Sequence, residues 1–118
     1  MRIVTKQEFY KLPSGTVYCH YRPIILEGLY IKGETIYCDG NPCDYIETEL
    51  IHTIDVSGSD EFFDKMIEAE KDSSFSMKMD FECTVRNGFY NEDQMYAIYE
   101  KKDIEGLIQA LQKALERY

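Results

Sequence analysis

The chain has 118 residues, of which 44% are apolar and 30% charged. That length supports one domain with its own core, and that composition excludes a disordered chain. A formal charge of −9 argues against coating nucleic acid through its phosphates, which needs clustered positive charge. Apolar stretches such as Ile24-Ile25-Leu26 are too short for a membrane-spanning helix or a secretory core segment.

In chain order, Thr5 followed by Glu8 reads as a capping box, and Phe9 with Leu12 marks one apolar face of a short helix. Pro13-Ser14-Gly15 ends it. Thr16 to Arg22, rich in β-branched and aromatic residues and stopped by Pro23, predicts a strand. Glu27-Gly28 reads as a turn, Leu29–Lys32 as the next strand, and Gly33 as a reversal or bulge before Thr35-Ile36-Tyr37. Asp39-Gly40-Asn41-Pro42 is a turn. Cys43 to Asp55 is the longest strand candidate, with Ile46, Thr48, Leu50, His52 and Ile54 on a core face and Tyr45, Glu47, Glu49 and Asp55 on a wet one. Ser59 predicts the cap of a helix over 60–71, with a stripe of Phe63, Met66 and Ile67. Phe75 to Val85 alternates apolar and polar residues and predicts a strand, paired antiparallel with 94–100. Asp103 predicts the cap of a last helix over 104–118, whose stripe is Ile104, Leu107, Ile108, Leu111, Leu115 and Tyr118. Gly106 weakens it. The expected architecture is one α+β domain over 1–118, in the order α-β-β-β-α-β-β-α, with a mainly antiparallel sheet of about five strands packed by two longer helices.

Charge is unevenly distributed. Residues 1–32 sum to +3, residues 33–72 to −10 and residues 73–118 to −2. An acidic middle either steers a basic partner or simply keeps the surface solvated. The four cysteines, at 19, 38, 43 and 83, lack the spacing of zinc or redox motifs. Free thiols in a reducing cytoplasm are expected, with no metal and no cofactor.

Two constellations stand out. On a strand, Tyr18, His20 and Arg22 point away from Val17, Cys19 and Tyr21. If the latter are core, the former offer a stacking ring, an imidazole and a guanidinium, groups that suit a nucleotide. Arg86, Asn87 and Tyr90 in a later loop would complete that pocket. The acidic residues Asp44, Glu47, Glu49, Asp55, Asp60, Glu61 and Asp64, with Tyr37 and Tyr45 as apolar anchors, form the alternative, a protein-binding face. Cys19 and His20 lie on opposite strand faces, so the pair is a poor nucleophile and base. Glu47 and Glu49 share a face, as carboxylate pairs do in hydrolases, but no hydrolase, Walker or dinucleotide motif accompanies them. No catalytic residue is assigned, and the chain is expected not to be an enzyme. The last helix, apolar as far as Tyr118, is expected to support a homo-oligomer.

Thr5–Tyr18, Gly28–Ile36, Ser59–Met66 and Tyr96–Gln112 together resemble a group of small phage and prophage proteins. The resemblance implies an accessory protein working in the cytoplasm of a bacterial host, where such proteins neutralise host defences. The leading expectation is a non-enzymatic inhibitor that blocks a host protein of basic surface through its acidic face. The alternative is a sponge for a small nucleotide signal, and the third is an assembly protein. Neither membrane binding nor direct nucleic-acid coating is expected.

Overall fold

A computed structural model describes residues 1–86 and 92–118. Thr5 closes the first strand, β1 (Arg2–Thr5), and opens the first helix, α1 (Lys6–Tyr10). The capping box forms as expected: the Glu8 N–H donates to Thr5 Oγ1 at 3.2 Å, and the Thr5 N–H donates to Glu8 Oε1 at 3.0 Å. There follow β2 (Val17–Arg22), β3 (Ile25–Cys38), β4 (Asn41–Glu49), α2 (Ser59–Lys71), β5 (Thr84–Arg86), β6 (Met95–Ile98) and α3 (Lys101–Leu115). All strand pairs are antiparallel, in the order β1-β6-β2-β3-β4-β5. The fold is α+β, and no helix among the described residues is long and apolar enough to cross a membrane.

The sheet differs from expectation in four places. It has six strands, because β1 adds an edge beside β6. The 43–55 strand stops at Glu49, and His52, expected in the core, is exposed with φ +66. That left-handed residue breaks the alternation a strand needs. Of the 75–85 stretch, only Thr84–Arg86 joins the sheet. Its outer part meets the 50–56 segment through one bridge, Ile54 to Met79, with Phe81 57% exposed. Finally, β6 inserts between β1 and β2 rather than pairing with β5. There it contributes Tyr96 and Ile98 to the core, a stronger claim on the strand than closing a hairpin with exposed Val85.

One sheet face carries the core. Tyr18, Tyr45 and Tyr96 are fully buried around Phe9 of α1, with Val4, Tyr10 and Ile98 completing the cluster. Phe9 stacks on Tyr96 at 3.9 Å and meets Tyr18 and Tyr45 edge-on at 4.7 and 4.9 Å. Each such pair adds about 0.5–1.5 kcal/mol beyond burial. Lys32 is also buried. Its Nζ donates to Thr35 Oγ1 at 2.7 Å and to the Gly33 carbonyl at 3.1 Å, and the Thr35 hydroxyl donates to the Tyr10 carbonyl, tying β3 to α1. The opposite face presents Val17, Leu29 and Ile31 toward α3.

The turns are individually specified. Asp39 and Gly40, at φ +52 and +80, make the two-residue β3–β4 hairpin turn. Cys38 and Cys43 flank it and are joined by a disulfide, with Cα atoms 5.7 Å apart, so only Cys19 and Cys83 are free and the expectation of four thiols is corrected. A loop this short constrains the unfolded chain by about 2 kcal/mol. The β2–β3 reversal lies at Pro23-Ile24, not at Glu27-Gly28. Ile24 holds φ +69 while 94% exposed. Gly28, at φ +79, instead sits within β3 where the register slips by one residue, and a Cβ there would lie 2.3 Å from the Tyr30 ring. Two substitutions should therefore move stability in opposite directions. Ile24→Asn should raise the unfolding free energy by about 1 kcal/mol, and Gly28→Ala should lower it by about 1–3 kcal/mol. Denaturant midpoints of the two variants check the signs.

Candidate functional site

Glu47 is the most heavily buried acid, 1% exposed, on the aromatic face of β4. The Tyr18 hydroxyl donates to its Oε2, and His20 Nε2 lies 3.1 Å from the same oxygen. Tyr30 stacks on His20 at 4.4 Å, and the Tyr96 hydroxyl donates to that of Tyr45 at 2.9 Å. Burial, then the nearby Glu47 carboxylate, pushes the Tyr30 phenol up to about 12. Burial likewise raises Tyr18, Tyr45 and Tyr96. These phenols therefore stay protonated, so Tyr18 can donate to the buried carboxylate and Tyr96 to Tyr45.

That network takes apart the nucleotide pocket. Tyr18 belongs to the core, contrary to its expected outward orientation, and its ring has no free face for a ligand. Arg22 stands at the hairpin end, ion-paired with Glu27. Arg86 sits on β5 and binds Asp44 at 2.9 Å. With β3 and β4 between β2 and β5, the two arginines' strands are roughly 14 Å apart. Asn87 and Tyr90 lie outside the described residues.

The acidic face is also redrawn. Asp44, Tyr45 and Glu47 are 2%, 0% and 1% exposed, so they are core and not recognition surface. The strand parity is the reverse of the expected one: the row containing Tyr45 and Glu47 turns inward because its tyrosine fills the Phe9 cluster. Glu49 is half-buried, and Tyr37 is exposed at the far hairpin. Asp55, Asp60, Glu61 and Asp64 remain together at α2, all exposed or half-exposed.

On α2 itself the inward residues are Phe62 and Met66, both half-buried. Phe63 and Ile67, expected inside, are 62% and 50% exposed. They share an outward row with Asp60, Asp64 and Glu68, at positions i, i+3, i+4, i+7 and i+8. Phe63, Ile67 and Glu68 were not anticipated as surface residues. The Phe62-Phe63 doublet was the available signal, since neighbours 100° apart on a helix can sit on different sides of a narrow core stripe. The helix is anchored by Glu61, whose Oε2 accepts from the Ser57 N–H at 2.8 Å and its hydroxyl at 2.6 Å, while the Lys65 ammonium lies 3.4 Å from Oε1. The Ser57 contacts, with Lys65 adding less, hold this carboxyl down at about 2.

A cleft of about 560 Å³ is lined by Lys6, Tyr10, Cys43, Glu92 and Asp93, among others. Among the described residues, no group of three or more His, Cys, Asp or Glu side chains is placed to hold a metal ion. The chain matches no family model, no curated protein and no solved structure.

The buried network predicts non-additive energetics. Tyr18→Phe should cost about 1–3 kcal/mol, because it strips a donor from a buried acceptor. In a Glu47→Gln background it should cost less, and a double-mutant cycle measures the difference. Additive losses would show that the two side chains act independently. The Ser57–Glu61 contact carries its own pH signature. A depressed carboxylate contributes stability above its usual value near 4.5 and loses it as pH falls toward 2. Glu61→Gln should flatten the acid limb of the stability curve across that window while leaving its slope at neutral pH unchanged.

Proposed function

We propose that the protein works by binding another protein rather than by catalysis, and that α2 is its recognition element. The observation that carries this reading is the outward row of that helix: two large apolar side chains, Phe63 and Ile67, left in solvent between Asp60, Asp64 and Glu68. Leaving a phenylalanine mostly exposed forgoes part of the roughly 1.5–3 kcal/mol that burial provides. An apolar pair rimmed by carboxylates fits a groove with an apolar floor and basic walls. The anchors supply affinity and the acids supply steering and orientation. Asp55 and Glu61 extend the acidic rim at the start of the helix.

The resemblance to phage and prophage accessory proteins supplies the setting: a host protein with a basic groove, blocked in the bacterial cytoplasm as part of countering a defence. The carboxylates of α2 would occupy that groove as phosphates would. This reading keeps the acidic recognition expected from the sequence, narrows it from the β4 and α2 acids to those at α2, and replaces Tyr37 and Tyr45 by Phe63 and Ile67 as anchors.

A photo-reactive residue placed at position 67, in the full chain expressed in bacteria, tests this. It should give a discrete protein adduct that the same group at position 37 does not. Phe63→Ala should weaken the purified complex at least tenfold, and Asp60→Lys with Asp64→Lys should abolish it. Raising salt should weaken it further. Equal adducts from both positions, or binding indifferent to charge reversal and salt, would defeat the reading.

A further inference from the structure

The second exposed apolar surface belongs to α3. Its stripe turns from half-buried at Ile104 and Leu107 to 48%, 61% and 67% exposed at Ile108, Leu111 and Leu115. Beside it runs a groove of about 410 Å³, walled on one side by Ile104, Leu107, Ile108 and Leu111 and on the other by sheet residues including Val17, Leu29 and Ile31. A groove lined by aliphatic side chains and open to water is a place where an apolar helix would lie.

We infer that the occupant is the α3 of a second copy of this chain, lying antiparallel to the first across the groove. Charge selects this occupant. Helix α3 and the residues that follow it carry Lys101, Lys102, Lys113 and Arg117 against Asp103, Glu105 and Glu116. The segment is thus within one charge of neutral in a chain of −9, and two copies can meet there with little like-charge repulsion. The outward row of α2 cannot meet itself in this way, because Asp60, Asp64 and Glu68 would face their own copies. The flanks of the stripe are complementary as well. Lys101, Glu105 and Glu116 border one side, and Ala110 and Ala114 the other. Antiparallel pairing brings Lys101 beside Glu116 of the partner subunit, and the small Ala110 and Ala114 allow close approach of the two backbones. It also sets the positive end of each helix beside the negative end of the other. The contact is self-complementary, so it closes as a two-fold dimer and does not propagate.

Sedimentation and native mass measurements on the full chain test this over roughly 1–100 μM, where interfaces of ordinary strength dissociate. The wild-type chain should pass from monomer to dimer, or remain a dimer throughout. Leu111→Glu with Leu115→Glu alters only exposed positions, so it should keep the native far-ultraviolet spectrum and yield a monomer. Phe63→Lys on α2 should leave the dimer intact. Lys101→Glu should weaken the dimer a few-fold, and adding Glu116→Lys should restore it. A wild-type monomer at every concentration would overturn the inference, as would a dimer that survives the double leucine substitution. Loss of the dimer in Phe63→Lys would place the contact on α2, and failure of the charge swap to restore it would reject the antiparallel arrangement.

Discussion

A carboxylate set among tyrosine rings is the constraint on which the sheet depends. Glu47 has almost no access to water, and leaving it without donors would cost several kcal/mol. Two of its partners, Tyr18 and His20, come from β2, which is separated from β4 by β3. Their side chains must therefore reach across the intervening strand, a span of roughly 10 Å between backbones. Tyr30 of β3 fills the space beneath that reach by stacking on the His20 ring. Its own ring lies over Gly28, where any side chain would collide with it. The slip in β2–β3 register, the left-handed glycine and the placement of Tyr30 are parts of one solution to burying an acid.

The same face is sealed from the other side by a very short helix. Five residues do not make a stable helix alone, so α1 depends on its Thr5–Glu8 box and on Phe9 entering the tyrosine cluster. Lys32 completes the layer. It stands opposite Glu47 in the β3–β4 register, and its ammonium lies 5.7 Å above the Phe9 ring. Burial lowers its pKa, and the Gly33 carbonyl and Thr35 hydroxyl accept its protons. The core thus combines aromatic area with a few buried polar groups whose partners are specified one by one. Such a core favours a single arrangement over a looser, purely aliphatic one.

What the sequence disclosed follows from how local each signal is. The Thr5–Glu8 cap, the turn at Asp39-Gly40 (two residues of the four expected), the Gly33 bulge and the stripe of α3 as far as Leu115 depend on neighbours within a few residues, and all are present. The α3 start is earlier than expected: Asp103 accepts from the Glu100 N–H at 2.8 Å as the third helical residue, so the helix begins at Lys101. Long-range facts were not legible. Alternation along β4 defines two rows but not which row faces the core. The polar row won because Tyr45 and Glu47 have partners on α1 and β2 that are distant in sequence. The period-two pattern of 75–85 was the clearest in the chain, yet a strand also needs an available edge, and β4 offers β5 only three residues. The proposed surface shares Asp55, Asp60, Glu61 and Asp64 with the sequence reading, whereas Tyr45, read there as an anchor, is core, and the exposure of Phe63 and Ile67 was not legible.

The distribution of burial fits the two surfaces proposed to meet partners. Neither α2 nor α3 contains a residue that reaches full burial, whereas α1, β1, β2, β4 and β6 all do. Stability is concentrated in the sheet and its small helix, leaving the two long helices with apolar rows that the monomer does not use. The hairpin end shows the same economy in miniature, since Ile24 holds a left-handed conformation with its side chain in water, while its N–H donates to the Tyr21 hydroxyl at 3.2 Å. The helices differ in the partner each can accept. Under the two proposals, a nearly neutral helix would tolerate its own copy, whereas a helix whose outer row repeats aspartate and glutamate between apolar anchors would repel its copy and favour a basic surface. Charge, not hydrophobicity, would then sort the partners of the two apolar rows.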